Sequence, residues 1–309
     1  MNGPEVSVVV CTRNRASWLG ETLASLAAQS LARERYEVIV VDNWSSDSTR
    51  QVAETALERE GLDGCCVLER ALGLNNARNR GVEDSRGEIV AFLDDDARAV
   101  PAWLDALLAA FARGRPDGVG GPVELVWQAP PPRWQHRDYF RLLAEFDLGA
   151  ASCSVDVFPY LVGTNMAFDR DTFRRIGLFD SRFDRQGTNL LSMGDTEFCH
   201  RVVQSGGHLL YEPGARVRHL VPPDRATLSF LLRRSYSNGR SLRRLKSLRS
   251  DLDAKPPKPG TLTAALRRLL SQLAQRDLVG SARLASSVAW HLGYLREGLG
   301  LATVPRHRG

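Results

Sequence analysis

Three consecutive carboxylates, Asp94, Asp95 and Asp96, follow directly on the apolar run Ile89-Val90-Ala91-Phe92-Leu93. A strand that ends in a cluster of like charges is unstable by itself, because each carboxylate repels its neighbours until a cation neutralises them. The pattern asks for a divalent metal. A solvated turn or helix cap is the competing explanation, since Pro101-Ala102-Trp103-Leu104, which reads as a helix start, follows closely. Two more polar runs stand at the ends of apolar ones: Cys11-Thr12-Arg13-Asn14-Arg15 and Val41-Asp42-Asn43. Arg13 and Arg78 suit phosphate, Asp42 suits a ribose or base edge, and the aspartates suit a metal that bridges a diphosphate. Asp42 also heads a run rich in capping residues, so a turn cap competes there. One loop's cap does not account for three polar strand ends, and the ligand reading is preferred.

The elements that must position these residues alternate in period. Val6 to Cys11, Tyr36 to Val41, Cys65 to Leu68 and Glu88 to Leu93 read as strands. Ala16 to Gln29, Ser48 to Glu60 and Asn75 to Asp84 read as helices between them. Such β-α-β-α-β alternation predicts an α/β fold with a mostly parallel, doubly wound sheet and ligands at its carboxyl edge. The rhythm breaks at Trp127-Gln128-Ala129-Pro130-Pro131-Pro132-Arg133-Trp134, an irregular crossing segment and candidate lid or wall. Later come the turn-like Gly163-Thr164-Asn165, a helix near Asp171 to Ile176, a flexible stretch at Gln186-Gly187-Thr188-Asn189, and a helix from about Asp195 to Gln204. Strands are expected at His208 to Tyr211 and Val217 to Leu220.

In this order the chain resembles the family 2 glycosyltransferases of the GT-A fold. The matching strings are SVVVCTRNR at 7–15, VIVVDNWSSDST at 38–49, GLNNARNRG at 73–81, IVAFLDDDA at 89–97, GTNMAFDRDTFRRIGLFD at 163–180 and GDTEFCHRV at 194–202. They span most of residues 6 to 222. The resemblance implies an inverting transferase that uses a nucleoside-diphosphate sugar with Mn²⁺ or Mg²⁺. It assigns Thr12, Asn14, Asp42 and Arg78 to the nucleotide, with Arg13 added from its charge. Asp94 and Asp96 stand for the outer aspartates of the family's D-x-D motif, Asp96 being the first choice of ligand, and Asp95 falls to the ribose or donor sugar. His219 is the expected third metal ligand, with a structural or diphosphate-contacting role as the alternative, and Asn165 is an expected sugar-pocket contact.

Asp195 matches the family's catalytic base, with an ordinary helix N-cap as the alternative. Gly194 replaces the acidic residue usual beside it, a departure that bears on acceptor positioning. Glu197 is expected to be support or surface. A nucleotidyltransferase and an inactive nucleotide-sugar-binding protein are the alternative functions.

With 309 residues, 43% of them hydrophobic, the chain can bury a large core. No apolar run approaches the ~18 residues of a membrane span, and the amino terminus lacks signal-peptide character, so a cytoplasmic enzyme is expected. Five cysteines without zinc-like spacing fit reduced thiols. The formal charge of +5 is uneven: from Ala215 to Ser250 ten Arg or Lys face the single acid Asp224. A diphosphate, an anionic membrane surface in peripheral contact, or water suits that segment, and nucleic acid is not carried forward as a partner. The acceptor class is a glycan, a lipid-linked glycan, a protein or a small molecule. Residues 1–222 are taken as the catalytic domain and 223–309 as a basic helical extension. In the extension a Pro-rich linker at 255–260 precedes two amphipathic helices, one bearing Leu262, Leu266, Leu269 and Leu273, the other Leu284, Val288, Leu292, Leu295 and Leu299.

Overall fold

The computed structural model describes residues 3–183, 190–252, 261–275 and 277–300. The stretch expected to be flexible, 186–189, and the Pro-rich linker at 255–260 lie outside the described residues, as do the side chains of Leu262, Leu266 and Leu273. In chain order the elements are β1 (Val6–Thr12), α1 (Ala16–Ala27), β2 (Tyr36–Asp42), α2 (Thr49–Glu60), β3 (Gly64–Leu68), α3 (Leu74–Asp84), β4 (Ile89–Leu93), β5 (Ala97–Ala99), α4 (Trp103–Gly114), β6 (Gly118–Gly120) and β7 (Val123–Trp127). There follow α5 (Arg137–Leu142), β8 (Cys153–Ser154), β9 (Asn165–Asp169), α6 (Arg170–Ile176), α7 (Gly194–Gln204), β10 (Leu209–Tyr211), β11 (Val217–Val221), α8 (Leu228–Leu248), α9 (Thr261–Ala274) and α10 (Leu278–Gly298). The chain divides into two compact units, the first drawn from Met1–Val126, Ala144–Gln186 and Gly194–Leu220, the second from Trp127–Leu143, Gly187–Met193 and Val221–Gly309. The irregular Pro-rich segment near 130 thus belongs with the helical unit.

The first unit is built on an eight-stranded sheet in the order β3-β2-β1-β4-β9-β6-β10-β8. Strands β1, β2 and β4 are apolar runs enclosed on both faces, as parallel strands covered by helices must be. The β3-β2-β1-β4 half is parallel throughout, as expected. In the other half β6 and β10 pair in parallel, while β9 runs antiparallel to both β4 and β6 and β8 closes the edge antiparallel to β10, so the sheet is mostly parallel, as expected, with β8 and β9 reversed. A short apolar run carries no mark of its direction, which here depends on where the long excursion between β7 and β9 re-enters the sheet. A three-stranded sheet, β5-β11-β7, was not anticipated.

Register brings the polar strand ends together. Thr12 lies opposite Asp42 in the β1–β2 pair, Leu93 opposite Asn165 in β4–β9, and His219 opposite Ala97 in β11–β5. The residues just beyond Leu93 therefore meet those just before Asn165, and His219 arrives beside Asp96. Beneath them Phe92, Phe168, Phe173, Phe179 and Phe198 form an aromatic cluster, with Phe198 of α7 at 4.6 Å from Phe179, 4.8 Å from Phe168 and 5.0 Å from Phe173 between ring centroids. This cluster seats α7.

In the second unit most of the basic segment folds as α8, packed on α10. Only part of the expected apolar face of α10 is covered: Leu284 and Val288 are half-buried, whereas Leu292 and Leu295 are each 48% exposed and Leu299, just beyond it, 74%. Ser281, Ala282, Ser286, Gly293 and Tyr294 are buried instead. The reason is the closeness of the crossing. A Cβ on Gly239 would overlap the carbonyl of Trp290, and one on Gly293 the carbonyl of Tyr236, so the two backbones touch where neither has a side chain. Ser235 and Ser286 hydrogen-bond through their hydroxyls at 2.7 Å beside it. Part of the positive charge is neutralised inside the unit, because Glu297 of α10 takes Arg240 at 3.0 Å and Arg244 at 2.7 Å.

Replacing Gly239 by Val forces the helices apart; the expected loss is about 1–3 kcal/mol, the usual cost of overpacking a close contact. Urea unfolding of the purified variant beside the parent checks it.

Candidate functional site

The strand β4 ends at the carboxylates, and each is held by a different element. Asp94 accepts a hydrogen bond from the Thr164 hydroxyl at 2.6 Å, from the loop that leads into β9. Asp95 accepts one from the Thr12 hydroxyl at 2.7 Å, from the end of β1. Asp96, 4% exposed, lies 3.1 Å from His219 Nε2 and 3.9 Å from Arg15 Nη2. Burial, and then the charge of Asp96, push the Asp95 carboxyl up to about 7, against the pull of Arg15 and the Thr12 hydroxyl.

Ligand atoms of Asp94, Asp96 and His219 lie within 4.8 Å of one another. Two carboxylates and a neutral imidazole form a hard donor set with one nitrogen, which fits Mn²⁺ better than Mg²⁺ and accepts either. The backbone organises the set further, since the Leu220 amide donates to the Asp96 carbonyl at 2.9 Å and locks His219 in place beside it.

The loops after β1 and β2 are tied to each other. Asn14, at φ 53°, accepts the Ser46 amide at 2.8 Å on its side-chain oxygen, and its own amide donates to the Ser45 hydroxyl at 2.9 Å. Its carbonyl group is thereby engaged in holding the crevice wall. Asp42 takes the Ser45 amide on one oxygen at 3.0 Å, so the turn cap is real, and it does not consume the whole carboxylate. Arg13 is exposed on the same loop.

Arg78, 5% exposed, crosses from α3 to the loop before β9. It lies over the Phe179 ring at 5.5 Å, donates to the Gly163 carbonyl at 3.3 Å and approaches the Asn75 side-chain oxygen at 3.4 Å. The neighbouring Gly163 amide donates to Asp195 Oδ2 at 2.8 Å. Asp195 stands in the first turn of α7, where its Oδ1 takes the Thr196 amide at 2.8 Å. The Thr196 hydroxyl also reaches Oδ1, at 3.5 Å, so the lone-pair position that remains is on Oδ2.

The place of the missing acidic neighbour is filled from elsewhere. A Cβ on Gly194 would overlap the amide group of Asn75, whose nitrogen donates to the Asp180 carbonyl at 2.9 Å. Gly194 is thus required by an asparagine brought in from α3.

One expectation is corrected and another resolved. Asn165 is fully buried and its amide is committed to the scaffold, accepting from Trp103 Nε1 at 2.9 Å and donating to the carbonyls of Ala215 and Pro122 at 2.7 and 3.2 Å. It has no surface to offer a sugar. Glu197 is support and not surface: fully buried, it holds Arg201 through two hydrogen bonds of 2.8 and 3.1 Å, and Arg201 in turn binds the carbonyls of Ile176 and Leu178. Arg15, Thr164 and Asn75 were not anticipated. Thr164 stands inside the quoted glycine-threonine-asparagine turn, and Arg15 two residues past Arg13, so the signal for each was adjacent to a residue already chosen.

If the Asp94, Asp96 and His219 set takes a cation, millimolar Mn²⁺ raises the melting temperature of the full chain by several degrees and Asp96→Ala removes most of that rise. Differential scanning fluorimetry with and without chelator reads it. An unchanged rise in the variant would show that the ion binds elsewhere.

Comparison with known proteins agrees with this geometry. The family model for glycosyl transferase family 2 matches residues 7–177. A glucosyl-dolichyl phosphate glucuronosyltransferase of Haloferax volcanii is 30% identical over 244 residues, 77% of this chain and 76% of that protein. The succinoglycan biosynthesis protein ExoM of Rhizobium meliloti is 31% identical over 247 residues, 78% of this chain and 74% of that protein. Among solved structures, the mannosyltransferase PcManGT from Pyrobaculum calidifontis, in complex with GDP-Man and Mn²⁺, shares the fold at a TM-score of 0.66, covering 97% of this chain and 88% of that one at 21% identity. A fold alone names no chemistry, but a family model over more than half of the sequence, with relatives matched over three quarters of theirs, does. The chain belongs to glycosyl transferase family 2 and is a glycosyltransferase of the GT-A fold.

Proposed function

We propose that the enzyme moves a sugar from a nucleoside-diphosphate sugar to an acceptor hydroxyl in one in-line displacement that inverts the anomeric carbon. Asp195 is the general base, and Asp94, Asp96 and His219 hold Mn²⁺ or Mg²⁺. The observation that carries this reading is the pair Gly163 and Thr164. Two adjacent residues of one loop bind the two kinds of carboxylate the reaction needs, Asp195 through the Gly163 amide and Asp94 through the Thr164 hydroxyl. A base and a leaving-group site fixed by one short segment keep a constant separation, which is what a concerted displacement requires.

The roles divide accordingly. Thr12, Arg13, Asn14 and Asp42 line the nucleotide end, and Asp95 faces the ribose or donor sugar. Arg78 supports the loop that carries Gly163 and adds positive charge near the diphosphate. When bound, the cation neutralises charge on the departing nucleoside diphosphate. Asp195 accepts the proton of the attacking hydroxyl on the lone pair of Oδ2 that the Gly163 amide leaves open. Membership of a glycosyltransferase family sets aside the nucleotidyltransferase and the inactive binding protein as readings. The name of the Haloferax relative favours a lipid-linked acceptor, which would bring the enzyme to a membrane face. Among the described residues no helix is long and apolar enough to cross one.

Purified enzyme is offered UDP-, GDP- and dTDP-sugars with Mn²⁺, and released nucleoside diphosphate is quantified. Asp195→Asn is expected to lower turnover about 10²–10⁴-fold, the usual contribution of a general base, with nucleotide affinity unchanged. Turnover retained in that variant would remove Asp195 from the base role.

Restoring an acidic residue by Gly194→Asp displaces Asn75 and tilts the first turn of α7. The expected result is a loss of turnover of about 10–100-fold, the scale of an ångström-sized misplacement, and no gain. Full activity in this variant would mean that Asn75 moves aside freely.

A further inference from the structure

The second unit contains a cleft of about 930 Å³ that shares no residue with the site described above. It runs among α5, α8, α9 and α10. His136, 6% exposed in its side chain, lines it, and neither ring nitrogen has a hydrogen-bond partner. Nδ1 is 3.9 Å from Asp138, too far for a hydrogen bond, and Asp138 is engaged by Arg283 at 3.0 Å. The side-chain oxygen of Gln272 lines the same cleft, buried and likewise unpartnered. Native interiors rarely leave three such atoms unpaired, and where they do a ligand or water is the usual complement.

The cleft also presents cations. Arg141 and Arg268 line it, both exposed, and among the described residues neither has an acidic partner. Leu142, Leu284 and Trp290 supply apolar wall. Burial lowers the affinity of His136 for a second proton, so the ring presents one N–H donor and one bare nitrogen acceptor. A hydroxyl group satisfies either nitrogen, because it both donates and accepts, and another hydroxyl satisfies the Gln272 oxygen. Two free guanidiniums match phosphate oxygens. The volume is far larger than a lone phosphate needs and lies in the range of small-molecule sites.

We infer that this cleft is a second ligand site, which binds a phosphate ester of a sugar through Arg141 and Arg268, with His136 and Gln272 reading its hydroxyls. The same headgroup chemistry is found on soluble sugar phosphates and on lipid carriers that bear a phosphosugar. The inference stands independently of the donor-site assignment, since no residue is common to both.

The full chain is titrated calorimetrically with glucose 1-phosphate and, in a separate arm, with farnesyl phosphoglucose; glucose and inorganic phosphate serve as fragments. Each titration is repeated on Arg141→Ala/Arg268→Ala and on Asp96→Ala, and all proteins are compared by thermal melting. Saturable binding of glucose 1-phosphate, at least tenfold tighter than either fragment, weakened at least tenfold by the double arginine change and untouched by Asp96→Ala, is the expected result. Binding of farnesyl phosphoglucose with the same sensitivity supports the site and names a lipid carrier as its source. Binding weakened by Asp96→Ala alone assigns the ligand to the catalytic site and overturns the proposal, as does the absence of saturable binding of both esters to a fully folded chain. His136→Gln, which keeps a donor and an acceptor, is expected to retain more affinity than His136→Leu; equal affinity in the two would remove His136 from the site.

Discussion

Mutual repulsion of three carboxylates at the end of one strand is the constraint around which the first unit is arranged. Left to themselves they would open the carboxyl edge of the sheet. Each is met by a partner from a different part of the chain: a hydroxyl from β1, a hydroxyl from the loop before β9, an imidazole from β11 and a guanidinium from the start of α1. Those partners hold the cluster together and yet leave it short of positive charge. The site is stable enough to persist and unsatisfied enough to attract a cation.

The same economy governs Asp195, the proposed base. Asp195 is placed by the helix it begins, and that helix is seated by Phe198 in the aromatic cluster and by the buried pair of Glu197 with Arg201. Loss of one partner of such a pair strands a charge in the interior, typically costing about 3–5 kcal/mol. Arg78 connects the two halves of the site, since its guanidinium lies on the aromatic cluster and reaches the loop that carries the Asp195 and Asp94 contacts. The rigidity of the active centre is therefore a property of the hydrophobic core below it.

Much of this was legible in sequence because the chemistry is local to strand ends. The alternation from Val6 to Leu93 foretold the parallel half of the sheet, and the family resemblance foretold Asp94, Asp96 and His219 as neighbours. What was not legible depends on register and on depth. Thr164 reaches Asp94 because β9 is antiparallel to β4, and strand direction leaves no trace in a five-residue apolar run. Asn75 fills the space beside Gly194 from more than a hundred residues away. Asn165 looked like a pocket residue because it sits in a polar turn, whereas the fold encloses it and spends all its bonds on the scaffold. In α10 the leucine stripe suggested a packed face, but a close helix contact is made by the residues with least side chain, and Leu292, Leu295 and Leu299 were left outside.

The close backbone contacts at Gly239 and Gly293 have a consequence for how the helical unit can move. Neighbouring helices often slide by one turn, about 5.4 Å, as the elementary step of a conformational change. Here such a slip would bring Ser235 or Arg243 to the position of Gly239, and the β-carbon of either would collide with the backbone of α10. Helices α8 and α10 thus have a single permitted register, so any change of shape in this unit must carry the two as one rigid body.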